Sequence, residues 1–307
     1  MARITAHYGI RRAVPFLDVD VQHDNRMFLD PRSIRLQKHP RPFVSQATHA
    51  IDTFFQEVTG CVASGTPAGA QRGLDLLQHF EEPWETRLGL AAAGFSGHGG
   101  AEEVGARVWH ALTTDLEALV RIGYLQQLED LPVFVDGIDR DITSDVTTRL
   151  AFEALANFTE QVMVSFPEFR SGGHTSDKFD RQIWDAASGT WQRKLVELPV
   201  ADGKPLLLVP RDWARHTLLM SAGRYFETSV LSYAQLEQAV VGSDGKLLKT
   251  RKDDLKKQPG LARGRSTNLK VTHRARQQDE NLLASFKVFV DSRYEPLTDE
   301  QIDGRLP

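Results

Sequence analysis

The sequence predicts an α/β or α+β fold, a modest mixed sheet with helices packed around it. Three observations carry this reading. Residues 191–209 read as a β-hairpin: TWQRKLVELPV and KPLLLVP are joined by Ala201-Asp202-Gly203, and Asp-Gly suits the left-handed positions of a tight turn. Several long stretches repeat apolar residues at helical spacing. An apolar run, Val133 to Val135, delivers Asp136 to a glycine and reads as a buried strand, with Asp139, Asp141 and Asp145 close behind.

At 307 residues, 41% hydrophobic and 25% charged, the chain can bury a substantial core in one or two domains. The expected division is a mixed core over 1–228 and a polar, basic appendage over 229–307. No apolar run approaches the roughly 20 residues that span a bilayer. The basic residues of MARITAHYGIRRAVPF are not followed by the apolar core of a secretory signal. Cys61 is the sole cysteine, which excludes an internal disulfide and any cysteine-based zinc cage. The expectation is a cytoplasmic protein with no membrane partner.

Taken in order, Leu17, Val19 and Val21 alternate with polar residues as in a half-buried strand. His23-Asp24-Asn25 supplies a turn, and Met27 to Leu29 would return as the partner. Asp18, Asp20 and Asp24 read first as the solvent-facing side of that strand and second as an acidic site. A helix is expected from about Ser45, with Ala47, Ile51, Phe54, Phe55 and Val58 on one face and Gly60 as its stop. A second should cover Ala68 to His79, and a third Ala101 to Val120. Gly94, Gly97, Gly99 and Gly100 precede that third helix, but neither GxGxxG nor GxxxxGK[ST] is satisfied, and Glu102 and Glu103 would repel a phosphate.

Beyond the acidic corner, Val146, Leu150, Phe152, Leu155, Phe158 and Val162 wrap a largely buried helix, capped by Thr143 or Ser144, with Asp145 in its first turn. Residues 171–189 read as loop with a short helix near Asp180 to Ala186. Leu206 to Val209 reads as a strand buried on both faces. Helices are expected over 213–225, 232–241 and 280–290.

Two function classes follow. The first is a Mg²⁺-dependent phosphodiesterase or nuclease. Such chemistry needs carboxylates for the metal and a lysine for the charged transition state. Asp136 and Asp145 are the candidate metal ligands. Lys194, in Gln192-Arg193-Lys194, is the candidate cation, and Glu197 is a further catalytic candidate, with Glu82 or Glu85 able to add a carboxylate. The second is a non-catalytic nucleic-acid-binding or assembly subunit. Its warrant is the tract Lys246, Lys249, Arg251, Lys252, Lys256, Lys257, Arg263, Arg265, Lys270, Arg274 and Arg276. Only Asp253 and Asp254 oppose these residues, so the tract carries +9 and the rest of the chain −13 of a net −4. Clustered Lys and Arg gain backbone affinity by releasing counterions, and the scarcity of aromatics there argues against base stacking. An acidic protein partner would be served equally well. Neither GxSxG nor HExxH is present.

The order of signatures resembles a group of uncharacterised bacterial proteins associated with phage defence. The signatures are a D-rich stretch ending FLDP (Phe28 to Pro31), EPWE…LG (Glu82 to Gly89), a glycine loop, VFVDGIDRDITSD (Val133 to Asp145) and LP…GKPLLLVPRDW (Leu198 to Trp213). The resemblance covers most of residues 16 to 215. It implies a role in bacterial immunity and a compact mixed fold and assigns no catalytic residue; protein partners in a multi-component complex are the expectation of the assembly-subunit reading.

Overall fold

The computed structural model describes residues 2–89, 98–304 and 306, and the glycines at 94 and 97 lie outside the described residues. The fold is α+β: helices surround small antiparallel sheets. Its strands are β1 (Phe28–Leu29), β2 (Ser176–Asp185), β3 (Thr190–Ala201), β4 (Lys204–Pro205), β5 (Ala214–Arg215), β6 (Val240–Val241) and β7 (Leu247–Leu248). They pair as β1-β5, β2-β3-β4 and β6-β7. The chain divides into two units. The first comprises Met1–Leu128, Arg140–Leu218 and Pro296–Pro307; the second comprises Glu129–Asp139 and Leu219–Glu295.

The principal element of the first unit is a long ribbon. β2 and β3 pair without interruption from Ser176↔Pro199 to Asp185↔Thr190. The sequence expectation placed a helix near Asp180 and gave β3 a different main partner. The structure corrects both. The polar composition of β2 conceals a strand whose reward is cross-strand: Trp184 faces Trp191, and the Arg193 guanidinium pairs with Asp180 at 2.9 Å. Gly189, at φ 65°, closes the turn. The expected turn at Asp202-Gly203 is present, both residues left-handed at φ 52° and 71°, but the strand it leads into is only β4.

Leu206 to Val209 is buried as expected, yet it forms no sheet. Its backbone partners come from four places. The Leu206 N–H donates to the Pro199 carbonyl, Leu207 to Glu85, Leu208 to the Thr159 hydroxyl, and the Val209 carbonyl accepts from Leu17. A segment threaded through the core satisfies its polar groups wherever acceptors occur. Residues 17–22 likewise form no strand. Met27-Phe28-Leu29 does not return on them; Phe28–Leu29 pairs instead with Ala214–Arg215, where a helix was expected.

Helix Phe43–Ser64 passes through Gly60 and ends at Gly65, whose φ of 62° supplies the left-handed cap. Its apolar face, with Ala47, Ile51, Phe54, Phe55 and Val58 buried, receives the far end of the ribbon. Phe54, Phe80, Trp184 and Trp191 meet edge to face, the Trp184 indole N–H donates to Thr53, and that of Trp191 to the Leu76 carbonyl. Helix Pro67–Leu76 follows, capped by Thr66. The expected helix over 101–120 is two, His98–Thr113 and Glu117–Arg121. The long buried helix after the acidic corner is also two, Arg140–Leu150 and Phe152–Ser165.

In the second unit, the stretch read as strand at Val133 is a helical turn, Leu131–Phe134. A short apolar run is ambiguous between helix and strand, and Pro132 at its start favours the helix. No ladder partner serves its carbonyls. Asn268 Nδ2 donates to Val133 O at 3.0 Å and to Ala222 O at 3.1 Å, while Arg265 donates to Pro132 O and Ile138 O. Both side chains lie on helix Arg265–Arg276. Phe134, Tyr225 and Phe286 stack edge to face alongside, joining helix Leu282–Ser292 to this core. Lys287 Nζ reaches the fully buried Asp130 at 2.8 Å. Among the described residues no helix is long and apolar enough to cross a membrane.

Candidate functional site

The four residues expected to form a catalytic group have distinct surroundings. Asp136 belongs to the second unit, while Asp145, Lys194 and Glu197 belong to the first. Asp136 follows the 131–134 turn, not a strand, and its side chain is 85% exposed, 3.6 Å from Arg265 Nη1. Asp145 lies in the second turn of helix Arg140–Leu150, which starts earlier than the expected Thr143 or Ser144 cap; Asp141 occupies the first turn. Ser144 does not cap a helix; its hydroxyl accepts from the Leu29 N–H at 2.9 Å.

Lys194 Nζ is 2.7 Å from Glu153 Oε1. Glu197 accepts from the Ser176 hydroxyl at 2.5 Å and from Arg170 at 2.8 Å. Those contacts, the Ser176 hydrogen bond foremost, hold its carboxyl below the ordinary glutamate value. Lys194 and Glu197 are three residues apart on a regular strand, so they project from opposite faces of the ribbon. Among the described residues no three His, Cys, Asp or Glu side chains form a group that could hold a metal ion.

The structure instead relates carboxylates from three stretches that the sequence marked separately. Burial raises the Glu82 carboxyl above its ordinary value, the charges of Asp24 and Asp141 raise it further, and Arg149 opposes them. Arg149 donates to the carbonyls of Glu81 and Glu82, both at 2.6 Å, and reaches Glu85 Oε2 at 3.5 Å. Glu85, 1% exposed, also accepts from Arg181 of β2 at 2.7 Å. The chain turns here because Arg87 takes a left-handed conformation, φ 57°. Its guanidinium donates to Val21 O and Trp84 O, and Asn25, fully buried, ties Asp20, His23 and Arg87 together through Nδ2. Asn25 thus rigidifies the loop that carries Asp24.

Sequence reasoning missed a second cluster. His7 and His174 stand with ring centroids 5.1 Å apart, and the Tyr8 ring packs on His174 and Phe169. Burial, then the neighbouring His174, lowers the His7 pKa. The Tyr8 hydroxyl, pushed up by burial, donates to Val200 O. No local pattern joins residues 7 and 174; only the fold does.

Much of the basic tract is occupied locally. Lys252 donates to the Glu227 carbonyl and the Ser232 hydroxyl, Lys256 pairs with Glu227 and Asp253, and Lys257 with Asp254. Arg274 pairs with Glu237 and Arg276 with Asp279, Lys246 lies 3.6 Å from Asp244, and Arg265 holds the 131–138 backbone. The side chains of Lys249, Arg251, Arg263 and Lys270 make no hydrogen bond or ion pair among the described residues and are exposed. Arg263 lies against Gly223, where any Cβ would meet its Nη2 at 2.1 Å.

The model of a family described as a domain of unknown function, DUF8370, matches residues 9–221. The chain belongs to that family. No curated protein and no solved structure matches it. The DUF8370 region takes in both the Glu82 cluster and the ribbon, and it ends just past the Leu218 boundary of the first unit. The four uncommitted cations lie beyond it.

Proposed function

We propose that this DUF8370 protein is a non-catalytic nucleic-acid-binding subunit of a multi-component bacterial defence complex. The observation that carries the binding is the set of exposed, unpaired cations Lys249, Arg251, Arg263 and Lys270 in a unit where most other tract charges are neutralised. Uncommitted cations can exchange water and counterions for phosphate without breaking internal pairs. The defence setting is supported by the resemblance over residues 16–215. The test is fluorescence anisotropy with labelled DNA and RNA across a salt series. Replacing the four cations by Gln should weaken binding and flatten the dependence on log salt by close to one unit for each phosphate that is no longer neutralised. Absence of binding at low salt, or an unchanged slope in the variant, would refute it.

A second, catalytic reading is favoured by one observation, the burial and then the like-charged neighbours Asp24 and Asp141 that raise Glu82, because perturbed titrations gather at functional sites. In this reading Glu82 would be the acid–base group, and Asp145 with the neighbouring carboxylates would hold a Mg²⁺ ion that polarises the phosphate. Cleavage of DNA or RNA in Mg²⁺ or Mn²⁺ should then vanish in Glu82→Gln or Asp145→Ala and survive neutralisation of the tract. No cleavage by the unaltered protein removes this reading.

A further inference from the structure

Strands β6 and β7 form a ribbon whose large side chains are all uncovered. Val240 pairs with Leu248 and Val241 with Leu247. Neighbouring residues on a strand face opposite ways, so one apolar pair lies on each face. All four residues are between 55% and 71% exposed. Two-stranded ribbons are marginal in water without an apolar face covered, so this one is built to be covered from outside.

Charges lie at both ends of the apolar strip. At the tip, Gly242 and Lys246 close the turn by a 2.8 Å backbone hydrogen bond, and Gly245 at φ 77° completes it. Asp244 accepts from the Lys246 N–H and lies 3.6 Å from its ammonium, and the Lys246 side chain, 84% exposed, reaches solvent beyond the apolar pairs. Where β7 ends, the exposed Lys249 and Arg251 follow, and Gln235 anchors this exit by donating to the Thr250 carbonyl at 2.7 Å. The order along the ribbon is therefore a cation with Asp244 beside it, the apolar pairs, then two cations.

We propose that the β6-β7 ribbon lies across the major groove of duplex DNA, with Lys246 on one phosphate backbone, Lys249 and Arg251 on the other, and the Val–Leu pair of one face against base edges. This rests on the nucleic-acid reading above and names the class of nucleic acid. From Lys246 to Lys249 the strand rises about 10 Å at roughly 3.3 Å per residue. With lysine reach added, that spans the groove of about 12 Å that admits a two-stranded ribbon, where thymine methyls offer apolar contact. The same pattern disfavours other occupants. A bilayer would have to take the charged tip deeper than the apolar pairs. Strands of two residues each bury far less than the roughly 1,200 Å² of a stable dimer. The A-form major groove of double-stranded RNA is too narrow for side chains to read.

The test uses the full chain with an A·T-rich DNA duplex, the same duplex with uracil for thymine, and the matching RNA duplex. The variant carries Val240→Ser, Val241→Ser, Leu247→Ser and Leu248→Ser, all at exposed positions; circular dichroism and thermal melting check that it folds. The unaltered protein should bind the DNA duplex roughly tenfold tighter than the RNA duplex. It should also lose affinity several-fold on the uracil duplex. The variant should bind DNA about tenfold more weakly than the unaltered protein, with an unchanged salt slope and indifference to the thymine methyl. Equal binding by variant and unaltered protein, or equal affinity for DNA and RNA duplexes, overturns the proposal while leaving backbone binding intact. So does a ribbon effect found only in flotation with phosphatidylserine vesicles or in oligomeric state. No binding to any nucleic acid removes the functional reading and this one together.

Discussion

Replacing Glu85 by Gln probes a deeply buried ion-paired carboxylate of the DUF8370 region. The carboxylate is 1% exposed and lies between Arg181, 2.7 Å from Oε1, and Arg149, 3.5 Å from Oε2. Removing one partner of a buried pair costs about 3–5 kcal/mol, because the charge left behind stays desolvated. Arg149 would keep the Glu81 and Glu82 carbonyls, and Arg181 is 21% exposed, so the expected cost is at the low end, about 3 kcal/mol. For a domain of this size that corresponds to a fall in Tm of about 6–12 °C. Urea unfolding followed by tryptophan fluorescence measures it, since Trp184 is buried three residues beyond Arg181 on β2. Arg181→Gln should cost less than Glu85→Gln, and the double variant less than the sum of the two, as the cycle of a coupled pair requires. A loss below about 1 kcal/mol for Glu85→Gln would show that the triad contributes no more than a surface pair, and the reasoning would fail.

Asn268→Leu should destabilise the second unit by about 2 kcal/mol, since the Val133 and Ala222 carbonyls both lose the Asn268 amide and Ala222 keeps the Phe226 N–H; urea unfolding and amide exchange at 131–138 would report it. Lys194→Met should cost under about 1 kcal/mol, because the Lys194–Glu153 pair is well exposed; a larger loss in a denaturant series would contradict that. Glu82→Gln tests a sign. The folded-state pKa is raised, so stability from this group is complete below the unfolded glutamate value and is lost as pH rises through the folded one. The variant should therefore melt higher than the unaltered protein at neutral pH and match it in acid. A difference independent of pH would refute the assignment.

The sequence by itself determined the elements whose residues repeat at a fixed spacing and pack on one side. The apolar face of Phe43–Ser64, the strand character of β3, the Asp202-Gly203 turn and the burial of Leu206 to Val209 were all legible, because each follows from a run of neighbouring residues. Tertiary structure decided what depends on partners far along the chain. β2 is a strand because β3 is opposite it, Leu131–Phe134 is helical with its carbonyls served from helix Arg265–Arg276, and Leu206 to Val209 has no common ladder partner. The charged sites followed the same division. The basic tract could be counted from composition, but which cations stay unpaired, and that Asp24 and Asp141 act on Glu82 while Lys194 and Glu197 face apart, came only from the folded chain. Electrostatic energy depends on distance through space, and sequence separation does not fix that distance.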